Sequence, residues 1–198
     1  MSEPAGHKPN RRDLLAAAGK TLPDVIAPGL QVLFCGINPG LYSAFTGHHF
    51  ARPGNRFWPA LFASGFTDRL LRPDEERELL RLGCGITNLV ARASAAADEL
   101  TREELVAGAR NFQEKIRQCR PRFVAILGVG AYRQAFDRPA AIIGAQPGSM
   151  EGASVWVLPN PSGLNAHFTP KSIAGLFRKF RLQAGRWWAS RVCAGGSH

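Results

Sequence analysis

No two of the four cysteines in this chain, Cys35, Cys84, Cys119 and Cys193, form a C-x-x-C pair, and no histidine stands near them at zinc-ligand spacing. That argues against a zinc ribbon and against an iron–sulfur centre held by clustered thiolates. They read as reduced, mostly buried thiols of a cytosolic protein. No metal is expected. Apolar runs approaching membrane-spanning length are missing too. Arg11-Arg12 ahead of Leu14-Leu15 faintly imitates a twin-arginine export signal, but Lys20 interrupts the apolar stretch and no cleavage site follows. A G-x-G-x-x-G loop with a distal acid is absent, which argues against a nucleotide-cofactor enzyme.

Negative charge is also scarce. The 198 residues hold 15 Asp and Glu against 25 Lys and Arg, a net charge of +10. Glu151 is the last acidic residue; Lys171, Arg178, Lys179, Arg181, Arg186 and Arg191 follow it. A one-sided basic surface attracts a polyanion, most commonly nucleic acid. Charge alone leaves a merely solubilising surface equally open.

What is present reads as one α/β domain. Residues 1–22 are polar and rich in Gly, Pro and charge, which predicts a flexible extension with a short helix at Asp13–Lys20. Gln31–Cys35, Gly85–Val90, Phe123–Leu127 and Val155–Leu158 have strand character, and most lack polar alternation, as strands buried on both faces do. Helices are expected at Phe57–Ser64, Asp74–Leu82, Leu105–Cys119 behind a Thr101/Glu104 capping box, and Lys171–Leu182 behind Thr169-Pro170. Alternation of these elements predicts a single three-layer domain over 23–183, with a central, mostly parallel four-stranded sheet. A tail over 184–198 carries Trp187 and Trp188, expected to dock on the body.

Two loops carry the chemistry. Gly36-Ile37-Asn38-Pro39-Gly40 follows the first strand, and Asn160-Pro161-Ser162-Gly163-Leu164-Asn165 follows the last. Ligands of parallel sheets bind at the carboxyl ends of strands. If the two strands are neighbours, both loops open on one crevice. Pro39 and Pro161 push the preceding Asn out of helical geometry. Each loop therefore holds a short amide rigidly, with a donor and an acceptor to read a base edge or hold a water. As plain turn signals, these Asn-Pro pairs have a second reading. Between the loops, Thr46-Gly47-His48-His49-Phe50-Ala51-Arg52-Pro53-Gly54-Asn55-Arg56-Phe57-Trp58 offers an aromatic for stacking and arginines for phosphates. His48 and His49 read as surface loop residues.

G-I-N-P-G after a strand, G-x-x-x-A-R-P-G-N-R-F-W and the late N-P-S-G-L together resemble the mismatch-specific uracil-DNA glycosylase and thymine-DNA glycosylase family of the uracil-DNA glycosylase superfamily. The likeness runs from about Ile26 to about Arg181 and is greatest to the bacterial mismatch-specific enzymes. It implies the α/β fold of that superfamily and a cofactor-free, metal-free, monofunctional hydrolase. Such an enzyme flips uracil out of a G:U mismatch in double-stranded DNA, cuts its N-glycosidic bond and leaves an abasic site. By position, the resemblance gives Asn38 the attacking water. Gly36, Ile37, Pro39, Gly40, Ser43, Phe50 and Asn160 become the uracil pocket, Phe50 stacking on the base and Ser43 lying beside C5. Ser162, Gly163, Leu164 and Asn165 become the wedge that enters the duplex and meets the orphaned guanine. Arg56 and Lys171 are expected on phosphates. A bacterial, cytoplasmic, DNA-associated monomer is expected.

One group is missing. The family carries a carboxylate directly after a T-x-x-V segment; here Thr87-Asn88-Leu89-Val90 is followed by Ala91, with Ala93 two residues on. A carboxylate there would either take a proton from the water, worth roughly 10²–10⁴-fold in rate, or only order the loop by pairing with Arg92. Preference for uracil or thymine stays open: Ser43 is small but polar, while Gly47-His48-His49-Phe50 looks more like the thymine-processing relatives. A rival from another class is a non-catalytic mismatch-sensing module, which needs the basic face and wedge but no poised water. On either reading, affinity for duplex should fall with salt, with a log–log slope near −0.9 per phosphate contacted. Binding isotherms between low and physiological salt check this; a flat response would remove the phosphate footprint.

Overall fold

The computed structural model describes residues 9–185 of the chain. Its strands are β1 (Val32–Gly36), β2 (Cys84–Asn88), β3 (Phe123–Leu127), β4 (Gly144–Met150) and β5 (Ala153–Leu158). The helices are α1 (Arg11–Leu15), α2 (Leu41–Thr46), α3 (Phe57–Ser64), α4 (Glu78–Arg81), α5 (Arg102–Cys119), α6 (Val129–Ala135) and α7 (Pro170–Ala184). The sheet has five strands in the order β2-β1-β3-β5-β4, all parallel except the β4–β5 pair. The expected four strands are all present, within a few residues. The fifth escapes sequence reading because Gly144-Ala-Gln-Pro-Gly-Ser-Met is mostly exposed and its pairing breaks between Ala145 and Ser149. Pro and Gly in a strand belong at such an edge.

Alternation along the buried strands sorts their side chains into two apolar layers. Leu33, Cys35, Val124, Ile126, Val155 and Val157 face α5 and α6. Val32, Phe34, Ala125, Leu127, Trp156 and Leu158 face α3 and α7. Phe34 is the hub of the second layer, with ring centroids of Phe57, Phe66, Phe177 and Phe180 at 5.5, 5.3, 6.0 and 6.1 Å. Such aromatic pairs add about 0.5–1.5 kcal/mol each beyond area burial. α7 is further tied to α3 by Arg178 and Arg181, which donate to Ala63 O (3.0 Å) and Ser64 O (2.8 Å) at the end of α3. Two cations of the acid-free segment thus cap a helix of the protein itself.

The sheet does not make β1 and β5 neighbours: β3 lies between them. Their loops meet because the loop after β3 is trimmed to one residue. Gly128, at φ 143°, leads straight into α6, and a Cβ there would lie 3.0 Å from Ile37 and 3.9 Å from Asn160. The loops close over the space that Gly128 leaves empty.

Residues 9–22 depart from the expected flexible extension. α1 starts on an Asn10/Asp13 capping box and is shorter than the expected helix. Gly19 N–H donates to Ala93 O (3.0 Å), Ala93 N–H donates to Lys20 O (2.8 Å), and Thr21 bridges Arg92. Ala17, Ala44 and Ala93 pack as a small apolar knot, so methyl-sized side chains let the segment lie down. The expected helix over Asp74–Leu82 is a 3₁₀ turn at Pro73–Glu75 followed by α4. α2 and α6 were not expected. Trp187, Trp188 and the rest of the tail beyond Gly185 lie outside the described residues.

The knot separates the two positions that lack a carboxylate: Ala93 is 1% exposed, whereas Ala91 is exposed. Ala93→Asp should destabilise the fold by about 3–5 kcal/mol, as an unpaired buried charge does. Ala91→Asp should stay within about 0.5 kcal/mol of the parent. Chemical denaturation of both variants checks this, and equal midpoints would contradict the packing.

Candidate functional site

The carboxyl ends of β1, β2 and β5 meet around a cavity of about 400 Å³. Gly36, Ile37, Asn38, Pro39, Gly40, Ser43, Phe50, Asn160, Ser162, Leu164 and Asn165 line it. Gly163, Arg56, Lys171, Ala91 and Ala93 do not. Three segments that are distant in sequence thus form one wall, because parallel strands send their following loops to the same edge.

Asn38 has its amide orientation imposed by the loop after β2. Its Nδ2 donates to Ser94 Oγ (2.7 Å) and to Arg92 O (3.1 Å). Both N–H bonds are therefore engaged, and Oδ1 is left as an acceptor at the cavity wall. Ser94 is 3% exposed and donates its own hydroxyl to Ala96 O (2.7 Å), so the serine cannot turn away. The loop behind it is fastened by Arg92, whose Nε and Nη2 grip Glu104 at 2.5 and 2.8 Å. Arg92 lies beside Ala91, so the loop keeps an arginine–carboxylate fastening without an acid at 91. An acceptor oxygen can hold a water by its hydrogen, but an amide does not remove the proton.

A second amide was missed by sequence reading. Asn88 ends β2 opposite Gly36 in the register and is 6% exposed. Its Oδ1 lies over the Gly36 backbone, where a Cβ would come within 2.4 Å. Its Nδ2 faces His49 Nδ1 at 3.4 Å, while His49 Nε2 donates to Pro23 O at 3.0 Å. The Pro23 contact fixes the tautomer: Nε2 carries the hydrogen, so Nδ1 accepts from Asn88. His49 is 2% exposed, which corrects its reading as a surface loop residue. Glu76 accepts the His49 N–H (2.8 Å), and His49 O accepts from Trp58 Nε1 (3.2 Å). His48 Nδ1 also meets Glu76 (3.3 Å).

The next residue, Phe50, is held at φ 54°, a conformation that a bulky side chain adopts only when its surroundings impose it. Its ring stacks on Phe57 at 4.1 Å and lines the cavity. Ser43 Oγ accepts from Ala51 N–H at 3.1 Å, so this hydroxyl also anchors the Phe50 turn.

Across the cavity, Asn160 Oδ1 accepts from Ser162 N–H (3.0 Å), which leaves its Nδ2 as the free donor. Asn38 and Asn160 thus offer complementary groups. Leu164 stands at the tip of the loop, 68% exposed. Gly163 passes so close to Gly54 that a Cβ would meet Gly54 O at 2.8 Å. Arg56, expected on phosphates, instead turns its guanidinium to the carbonyls of Ser162 (2.6 Å), Asn165 (2.8 Å) and Phe168. Arg52 at the cavity and Lys171 in the first turn of α7 are exposed, and Arg52 has no ion-pair partner among the described residues. The same residues hold no group of three or more His, Cys, Asp or Glu that could bind a metal, and no helix long and apolar enough to cross a membrane. Burial pushes the thiols of Cys35 and Cys84 far above their ordinary range.

Residues 23–181 match the family model of the uracil DNA glycosylase superfamily. Among solved structures, the chain is similar to a solution NMR structure from Methanosarcina acetivorans described as a "putative Uracil DNA glycosylase". The identity is 18% and the TM-score 0.54, over 82% of this chain and 98% of that one. At that identity the likeness speaks for the fold.

The Arg92–Glu104 grip has a titratable signature. Glu104 is held down to about 2, first by Arg92 and then by the Thr101 N–H. A depressed carboxyl stabilises the fold above its unfolded value, and that contribution is lost as pH falls through the folded one. The fastening behind Asn38 should therefore survive acid to about pH 2. In Arg92→Gln, the Glu104 titration followed by NMR should move up toward 4.5 and stop below it, because Thr101 still donates. An unmoved titration would show that Arg92 does not hold the loop.

Proposed function

The chain belongs to the uracil DNA glycosylase superfamily, and from that premise we propose that it hydrolyses the N-glycosidic bond of uracil mispaired with guanine in double-stranded DNA. Membership gives the coarse chemistry: a DNA-repair glycosylase, a hydrolase acting on uracil in DNA. The observation that supports hydrolysis by a held water is the fixed Asn38 amide, whose Nδ2 is engaged and whose oxygen is left as an acceptor.

A base inside a duplex is out of reach of such a cavity and has to be turned out of the stack, at a cost of a few kcal/mol. A G:U wobble pair lowers that cost, which favours mismatched uracil over paired bases. Phe50, backed by Phe57, gives the flipped ring a flat surface to lie on. Asn88 Oδ1 suits a ring N–H, and Asn160 Nδ2 suits a ring carbonyl. The departing uracil takes negative charge, which fixed donors stabilise without reorganising. Asn38 holds the water that attacks the sugar carbon. Asn38 is an amide and neither 91 nor 93 carries a carboxylate, so these positions do not deprotonate the water that Asn38 orients; the carboxylate that lines the cavity is Asp98. Ser43 stands beside C5, where a thymine methyl meets a polar wall. Exposed Leu164 fills the vacated stack, while Arg52 and Lys171 lie on flanking phosphates. The enzyme works as a monomer.

Asn38→Ala should lower single-turnover release of uracil from a G·U duplex by about 10²-fold or more, the range set by losing one positioned polar group, and should keep duplex binding. Ser94→Ala, which frees the Asn38 amide to turn, should lower kcat about tenfold (roughly 1.4 kcal/mol) with KM unchanged, and Ser94→Thr should restore it. A wild-type protein that binds the mismatch without releasing uracil would instead be a mismatch-sensing module.

A further inference from the structure

A loop without regular backbone pairing needs other contacts to hold its shape, and 160–168 contains Gly163 and no strand. Asn160, Ser162 and Asn165 tie it internally, and Arg56 ties it to the body of the protein at four carbonyls. Its backbone N–H donates to Pro161 O at 2.9 Å. Nη2 donates to Ser162 O (2.6 Å) and Asn165 O (2.8 Å), and Nη1 to Phe168 O. The Ser162 and Asn165 carbonyls bracket Gly163-Leu164, the two tip residues. Arg56 itself is anchored as the residue that caps the start of α3, next to fully buried Phe57. The contact of Gly163 with Gly54 closes the other side of the same seam.

We propose that Arg56 is a positioning residue for strand insertion: its guanidinium clamps both feet of the 162–165 loop and holds Leu164 outward before DNA arrives. A loop ordered in advance does not have to be ordered on binding, and that is where preorganisation gains affinity and rate. The planar fork of arginine is what the job requires. It reaches three carbonyls in fixed directions, whereas a lysine ammonium presents one compact charge on a flexible stem. Carbonyls are partial negative charges, so the buried side of the guanidinium is balanced without a carboxylate that would repel phosphates. This inference rests on the glycosylase reading for its activity readout only; the clamp itself is a property of the free protein.

The test compares Arg56→Lys with the parent in three measurements. In the free protein, amide hydrogen exchange over 162–168 should quicken at least tenfold while the β-sheet stays protected. With G·U duplex carrying 2-aminopurine beside the uracil, the fluorescence rise that reports unstacking should shrink. Uracil release from duplex should fall at least tenfold, and release from a single-stranded oligonucleotide less than threefold. Arg181→Lys, which removes a comparable arginine–carbonyl bond far from the loop, should lower the melting temperature without changing the duplex-to-single-strand ratio. In a Leu164→Ala background the Arg56 substitution should have no further effect on that ratio, since it acts through Leu164. If Arg56→Lys fails to fold, Gly163→Ala, which leaves the guanidinium in place but drives a methyl toward Gly54 O, should shift the same three readouts. An unchanged exchange rate, or equal losses on duplex and single strand, overturns the clamp. Faster exchange together with a parent that releases no uracil from any substrate keeps the clamp and discards the glycosylase reading.

Discussion

Both hydrogens of the Asn38 amide are held by groups of the loop after β2, Arg92 O and Ser94 Oγ, and the working geometry of the cavity follows from that. The donor side of the amide cannot face the ligand, so the acceptor must. The loop that holds it needs its own fastening, which Glu104 provides from the first turn of α5. It needs a floor as well, which residues 17–21 provide by packing against Ala93 and bonding to it. A single polar orientation thus recruits the N-terminal segment, the β2 loop and the longest helix. This is how a fold spends rigid elements on a flexible task.

The same logic recurs on the opposite wall. His49 is immobilised through its ring and both its backbone groups, and it in turn orients Asn88. Phe50 inherits a left-handed backbone from that anchoring. The strain is tolerable because Glu76, Trp58 and Ser43 Oγ hold the chain on either side of it. Three amides, Asn38, Asn88 and Asn160, each have one end tied to the protein and one end left for the cavity. A pocket built from half-satisfied amides discriminates by hydrogen-bond pattern more than by charge, and that suits a neutral base.

The sheet's parallel core was legible because β1, β3 and β5 read as near-continuous apolar runs, and buried parallel strands leave that mark. The two Asn-Pro loops were legible because proline and glycine fix local geometry through covalent structure. β4 was not legible, since an exposed edge strand containing Pro147 and Gly148 has no apolar pattern to betray it. Nor was the burial of His49: only the antiparallel bridge from Val25 to Ile86 brings Pro23 over the ring, and no local pattern encodes a contact across that distance. Arg56 reads as a surface cation in sequence, because charge announces itself while a set of backbone carbonyls does not. Asn88 had one visible signal, an amide next to Thr87 inside the otherwise apolar run Gly85–Val90.

The cover over Phe34 has a consequence for biosynthesis. Phe34 is made early, yet two of the four rings around it, Phe177 and Phe180, come from the last described helix. At about 5–20 residues per second, translation leaves one face of the central strand without its lid for on the order of ten seconds. During that interval the nascent chain carries an apolar sheet face that invites chaperones. The loop bearing Leu164 immediately precedes α7, so it leaves the ribosome just ahead of the lid. A ribosome that stalls just before α7 therefore holds a polypeptide that already has its exposed leucine tip but still lacks the lid of its core.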